Sequence, residues 1–127
     1  MMYNMKMETR IKTTDYQLVP EAEAYLQERL AMIEKLLDTD DTATRTDVEL
    51  GRTTGHKSGD VYYAEINLLV DGSSMRSTAH AENINAAIDE AKDEILNQLR
   101  KHKQFHRRML RKGGAAFKRF VRFGGAE

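Results

Sequence analysis

The longest periodic stretch of the chain spans residues 83–112, where Ile84, Ala87, Ile88, Ala91, Ile95 and Leu99 recur at three- and four-residue steps. That spacing lines one face of an α-helix and predicts an amphipathic helix whose apolar stripe packs on a sheet. Ala22, Leu26, Leu30, Ile33 and Leu37 form a second stripe of the same kind, which the DTDDT run at 38–42 ends. Pro20 suits its first turn, where a missing N–H costs no hydrogen bond, and Glu21 and Glu23 sit where the helix dipole favours anions. Val19 before it offers no capping side chain. Elsewhere the period drops to two. Met5, Met7, Thr9 and Ile11 alternate with Lys6, Glu8, Arg10 and Lys12, as in a half-buried strand. Segments 44–52, 61–70 and 73–80 predict three more strands, the middle one enriched in β-branched and aromatic residues. In that strand Tyr62, Ala64, Ile66, Leu68 and Val70 share one nearly apolar face, and the following Asp71-Gly72 tolerates the positive φ angles of a primed hairpin turn.

The predicted order, β-α-β-β-β-α, gives an α+β fold with two helices packed on one face of a four-stranded sheet. If the first two strands are neighbours, the helical crossover makes them parallel and right-handed. The 127 residues supply one modest core. Residues 1–112 are expected to form that domain. After Gly113-Gly114 breaks the last helix, residues 113–127 form a basic, aromatic C-terminal tail containing AAFKRFVRF.

Charge changes the picture of the last helix. The formal net charge is zero, yet residues 1–94 carry 10 Lys+Arg against 19 Asp+Glu, a balance of −9, while residues 95–126 carry 10 basic residues and no acidic one. A dipolar chain of this kind presents its basic end to polyanions, nucleic acid first and an anionic membrane surface second. At about 100° per residue, Lys92, Arg100, Lys103, Arg107 and Arg111 fall on one side of the helix, so a phosphate backbone could follow them. A helix dipole accounts for one or two such cations near a C-terminus, not for ten without counter-charge. Contacts of this type fix position without reading base sequence. Phe105, Phe117, Phe120 and Phe123, placed among the cations, could stack on unpaired bases or insert into a membrane surface.

Other chemistry is thinner. There is no cysteine, which removes disulfides and zinc-thiolate sites and fits a reducing compartment. The N-terminal MMYNMKMETR lacks a signal-peptide apolar core, and no run approaches the ~18 apolar residues of a membrane span, so a cytoplasmic protein with no membrane association is expected. GRTTGHKS at 51–58 nearly spells a phosphate-binding loop, but His56 replaces the second glycine and a strand, not a helix, follows. His102 and His106 share a helix face at metal-ligand spacing, but no third ligand is near, and a wet face that charges at acid pH fits better. The pairs Asp89-Glu90 and Asp93-Glu94 read as a solvated face. No nucleophile with a base is evident, so neither enzymatic activity nor a cofactor or metal is expected.

HKSGDVYYAEINLLVDG followed by AENINAAIDEAKDEILNQLRKHK resembles the signature of the bacterial ribosome hibernation-promoting factor family, also called ribosome-associated inhibitors or light-repressed proteins. The resemblance covers residues 5–103, and its most specific pieces are Ala86-Ala87-Ile88-Asp89 and Gln98-Leu99-Arg100-Lys101-His102-Lys103. It implies a protein that lodges between head and body of the small ribosomal subunit, where messenger and the A- and P-site transfer RNAs would lie, and keeps ribosomes inactive during stress or stationary phase. The implied partners are small-subunit 16S-type rRNA and the whole ribosome, with the protein monomeric when free. The implied contacts are Arg76, His80, Lys92, Arg100, Lys101, Lys103, Arg107, Arg108 and Arg111, with Lys57 in a loop. Asn83 and Asn85 depart from the Asp and aromatic of many members, although Asn83 can still cap the helix. Long members carry a second domain that pairs ribosomes. The 113–127 tail is too short for one, so silencing of single ribosomes is expected, with the tail running along the messenger channel. The alternative on the residues alone is a general module for structured or double-stranded RNA.

Overall fold

A computed structural model describes residues 7–37, 45–53 and 61–112. The elements are β1 (Glu8–Thr14), α1 (Pro20–Lys35), β2 (Arg45–Arg52), β3 (Tyr62–Val70), β4 (Ser73–Ala81) and α2 (Ile84–Arg111), in the order the hydrophobic pattern predicts. The sheet runs β1-β2-β3-β4, with β1 parallel to β2 and the other neighbours antiparallel. The first crossover therefore does make its two strands parallel neighbours. β1 pairs with β2 from Glu8 opposite Arg45 to Thr14 opposite Gly51, and so runs two residues past the end of the 5–12 alternation. Asp71 (φ 49°) and Gly72 (φ 81°) both take positive φ, as a primed turn between β3 and β4 requires.

Burial alternates as the strands demand. Val48 and Leu50 of β2, Ala64, Ile66, Leu68 and Val70 of β3, and Met75, Ala79 and Ala81 of β4 form the floor of the core. Leu26, Leu30 and Ile33 of α1 and Ala87, Ile88, Ala91, Ile95, Leu96 and Leu99 of α2 cover it. Val19 makes no side-chain cap to α1, whereas the Asn83 side chain accepts a hydrogen bond from the Ala86 N–H at 2.8 Å and caps α2. The helices are clasped by a polar cluster. Arg29 Nε donates to Asp89 Oδ1 at 2.9 Å, the Tyr25 hydroxyl donates to Asp89 Oδ2, and the Arg29 guanidinium lies 3.7 Å over the Tyr25 ring. Asp89 is thus no solvated-face residue, unlike the exposed Glu90, Asp93 and Glu94. Burial pushes its carboxyl up, but the bonds from Tyr25 and Arg29 outweigh this and hold it below the usual carboxylate range.

The opposite face of the sheet carries no helix among the described residues. There Gly51 lets the Tyr63 ring cross β2, since a Cβ at Gly51 would lie 2.6 Å from that ring and 2.7 Å from the Thr14 carbonyl oxygen. Tyr63 and Thr14 hydroxyls donate to Glu49 Oε2 at 2.8 and 2.7 Å, and these bonds lower the Glu49 pKa. The first glycine of GRTTGHKS is therefore a packing position inside β2, and β3 follows the motif. Lys57, with the rest of 54–60, lies outside the described residues, as do Met5 and the 113–127 tail.

Candidate nucleic-acid interface

α2 is longer than the core it covers. Leu99 is its last buried residue, and the helix continues through Arg111. The hydrogen-bonded backbone ladder needs no core once it is nucleated, so the extra turns project as a rigid arm.

The first basic residues of this arm divide between two tasks. Lys103 is half-buried and its Nζ donates to the Leu36 carbonyl just past α1, satisfying a helix-terminal acceptor with a cation where the α1 dipole favours one. Arg100, Lys101, Arg107, Arg108 and Arg111 are exposed. Among the described residues none of these five makes an ion pair, whereas Arg10, Arg29, Arg45, Arg76 and Lys92 all do. Gln104, Arg107, Arg108 and Arg111 line a shallow polar recess of about 350 Å³. Five unmatched cations on a fixed helical scaffold can hold a chain of phosphates at helical spacing.

The remaining implied contacts lie elsewhere. Lys92 belongs to the core half of α2. It is 9% exposed, and its Nζ donates to Asp93 Oδ1 at 2.7 Å. Arg76 and His80 point from β4 to the helix-free sheet face, where Arg76 pairs with Glu65 at 2.7 Å and the His80 ring lies 5.8 Å from that of Tyr63. Only the Arg76 backbone meets α2, its carbonyl accepting from Gln98 Nε2 at 2.8 Å. The fold thus gathers Arg100, Lys101, Arg107, Arg108 and Arg111, turns Lys103 inward, and leaves Arg76 and His80 on another face.

A groove beside the arm escapes a reading of single elements. Leu36, Val70, Asp71, Leu99, His102, His106 and Leu110 line a cavity of about 630 Å³ between the arm, the end of α1 and the β3–β4 turn. The His102 and His106 rings are 4.2 Å apart at 47°. Both are half-buried, and burial together with the neighbouring His106 lowers the His102 pKa, so that residue charges less readily than a wet face would allow. The sequence signals for it are the shared helix face of His102 and His106 and the position of Leu110, three turns beyond Leu99 on the same line of the helix. Among the described residues no group of three or more His, Cys, Asp or Glu could hold a metal ion, and no helix is long and apolar enough to cross a membrane.

Residues 9–107 match the model of the family described as Sigma 54 modulation protein / S30EA ribosomal protein. A ribosome hibernation promotion factor from Picosynechococcus sp. is 32% identical over 80 residues, which cover 63% of this chain and 40% of that protein. The match thus spans two fifths of the curated relative's length. The N-terminal domain of Thermus thermophilus Protein Y superposes with a TM-score of 0.62 at 19% identity, covering 77% of this chain and 99% of the other. A ribosomal subunit interface protein from Coxiella burnetii gives 0.60 at 11% identity, covering 76% and 98%. The two structures share the fold established above, and the family match takes in nearly all of it, including β1 to β4 and the α2 arm as far as Arg107. This chain belongs to the Sigma 54 modulation protein / S30EA ribosomal protein family.

Proposed function

We propose that this protein binds the small ribosomal subunit through the distal arm of α2, occupies the sites of messenger and transfer RNA, and thereby keeps ribosomes inactive. The observation that carries this reading is the row of Arg100, Lys101, Arg107, Arg108 and Arg111, exposed and without ion pairs among the described residues, in a chain of the S30EA family. The name of the Picosynechococcus relative, a hibernation promotion factor, supports the inhibitory outcome. The arm's electrostatics support an RNA partner, because five exposed cations that make no ion pair among the described residues attract a polyanion. Arg76, His80 and Lys57 are proposed as secondary contacts, and the 113–127 tail as a segment following the messenger path.

Sedimentation with purified ribosomes tests the reading. The protein is expected in small-subunit and whole-ribosome fractions, displaced by messenger with transfer RNA. If all five cations meet phosphates, log affinity against log salt should fall with a slope of about −4.5 on duplex RNA, or about −3.5 on single strands. Arg100→Ala/Lys101→Ala/Arg108→Ala should weaken binding about tenfold or more, while thermal stability stays within about 0.5 kcal/mol of the parent because no protein partner is lost. Absence from all ribosomal fractions at moderate salt would refute the proposal. Equal affinity for arbitrary RNA duplexes would replace it with a general double-stranded RNA module.

A further inference from the structure

The groove beside the arm has a built asymmetry that phosphate binding alone leaves unused. Leu36, Val70 and Leu99 supply its apolar floor, Lys103 crosses it with its Nζ tied to the Leu36 carbonyl, and Leu110 at its lip is 58% exposed, the most exposed large hydrophobic side chain among the described residues. Along α2 the wall is two imidazole rings 4.2 Å apart, and Arg100 and Arg107 stand at the rim. An occupant that satisfies such a groove is flat and apolar at one end and anionic at the other.

Charge decides between the candidates. The chain's own tail carries Phe117, Phe120 and Phe123, but Lys118, Arg119 and Arg122 give it the sign of the rim, so its charge does not complement the groove. A nucleotide has the opposite sign at one end and an aromatic face at the other. We propose that the groove receives an unpaired nucleotide of the bound RNA, its base lying against His102, His106 and Leu110 and its phosphate beside Arg107. Stacking on imidazole and aliphatic surface tolerates any base, because every base has a π-face. The cavity of about 630 Å³ lies in the range of small-ligand sites. Asp71 faces His102 at the turn end of the groove. The anionic end of the ligand therefore lies toward Arg107, which is about 7.5 Å further along the helix axis than His102.

This inference rests on the RNA-binding reading above, and the test separates the two. The full chain, labelled on its histidine rings, is titrated with 5′-AMP and, separately, with ribose 5-phosphate, which keeps the phosphate and lacks the base. 5′-AMP should shift the His102 and His106 ring signals and bind about tenfold tighter than ribose 5-phosphate, the share that base stacking supplies. His106→Ala, its fold checked by circular dichroism, should bring that ratio close to one. Equal binding of the two ligands, or histidine signals unmoved by 5′-AMP in a protein that still sediments with small subunits, overturns the groove and leaves the ribosome reading standing. Base-dependent shifts in a protein that fails to sediment with ribosomes establish the groove as a nucleotide site and overturn its placement on ribosomal RNA.

Discussion

The core half of α2, residues 84–99, and its arm, residues 100–111, belong to one unbroken helix in two different surroundings. In the first half Ala87, Ile88, Ala91, Ile95, Leu96 and Leu99 are buried, Asp89 is clasped by Tyr25 and Arg29, and the one cation, Lys92, is neutralised by its neighbour Asp93. In the second half no acidic residue occurs, and five cations face solvent without ion pairs among the described residues. The halves obey the same backbone rule and opposite side-chain rules. A helix can outlast its apolar face because each added turn continues an existing ladder, and that surplus length gives a folded domain a rigid charged projection.

Three measurements probe where the boundary falls. The largest effect is expected from Leu99→Ala, the last buried position of the core half, which is 1% exposed. Its cavity should cost about 2–5 kcal/mol in urea unfolding. A loss below about 1 kcal/mol would place Leu99 in the arm. Lys103→Met keeps most of the side chain's bulk and removes the charged bond to the Leu36 carbonyl. A loss of about 1 kcal/mol would mark Lys103 as a structural residue, and an unchanged stability with weakened RNA binding would return it to the interface.

The smallest effect is a pH dependence in the groove. Burial and His106 lower the His102 pKa from its ordinary value of 6.5, while Asp71 opposes them and Lys103 adds to them. Below about pH 6.5 the unfolded chain therefore takes up the proton first. The contribution of neutral His102 to stability is complete above that pH and declines as the pH falls through its lower folded value. Melting temperatures of the parent should drop between pH 7 and pH 5 more than those of His102→Gln. Parallel profiles would show that His102 is not responsible.

Much of this was legible along the chain, for physical reasons that differ from element to element. The α1 and α2 stripes, the β3 face and the Asp71-Gly72 turn are local patterns, fixed by helical period, strand alternation and the φ angles a residue tolerates. Asn83 was recognisable as a cap because its partner is three residues away. The candidate interface was legible only as a run of charge. Nothing local distinguishes Lys103 from Lys101, or Asp89 from Glu90. Lys103 finds the Leu36 carbonyl 67 residues back, and Asp89 finds Tyr25 and Arg29 on the other helix. The far end of β1 is set in the same way, since Thr13 and Thr14 continue the strand beyond Lys12 by pairing with Leu50 and Gly51 of β2.

By itself, then, the sequence determined the element types, their order and the sorting of charge into an acidic body and a basic end. These depend on residues close in the chain, whose spacing is fixed by backbone geometry. Tertiary structure decided which cations keep their charge free for a partner, which turn inward, and that two histidines and four apolar residues from three elements enclose a groove. Those outcomes depend on what stands opposite each side chain once helices and sheet have packed, and no local pattern encodes that.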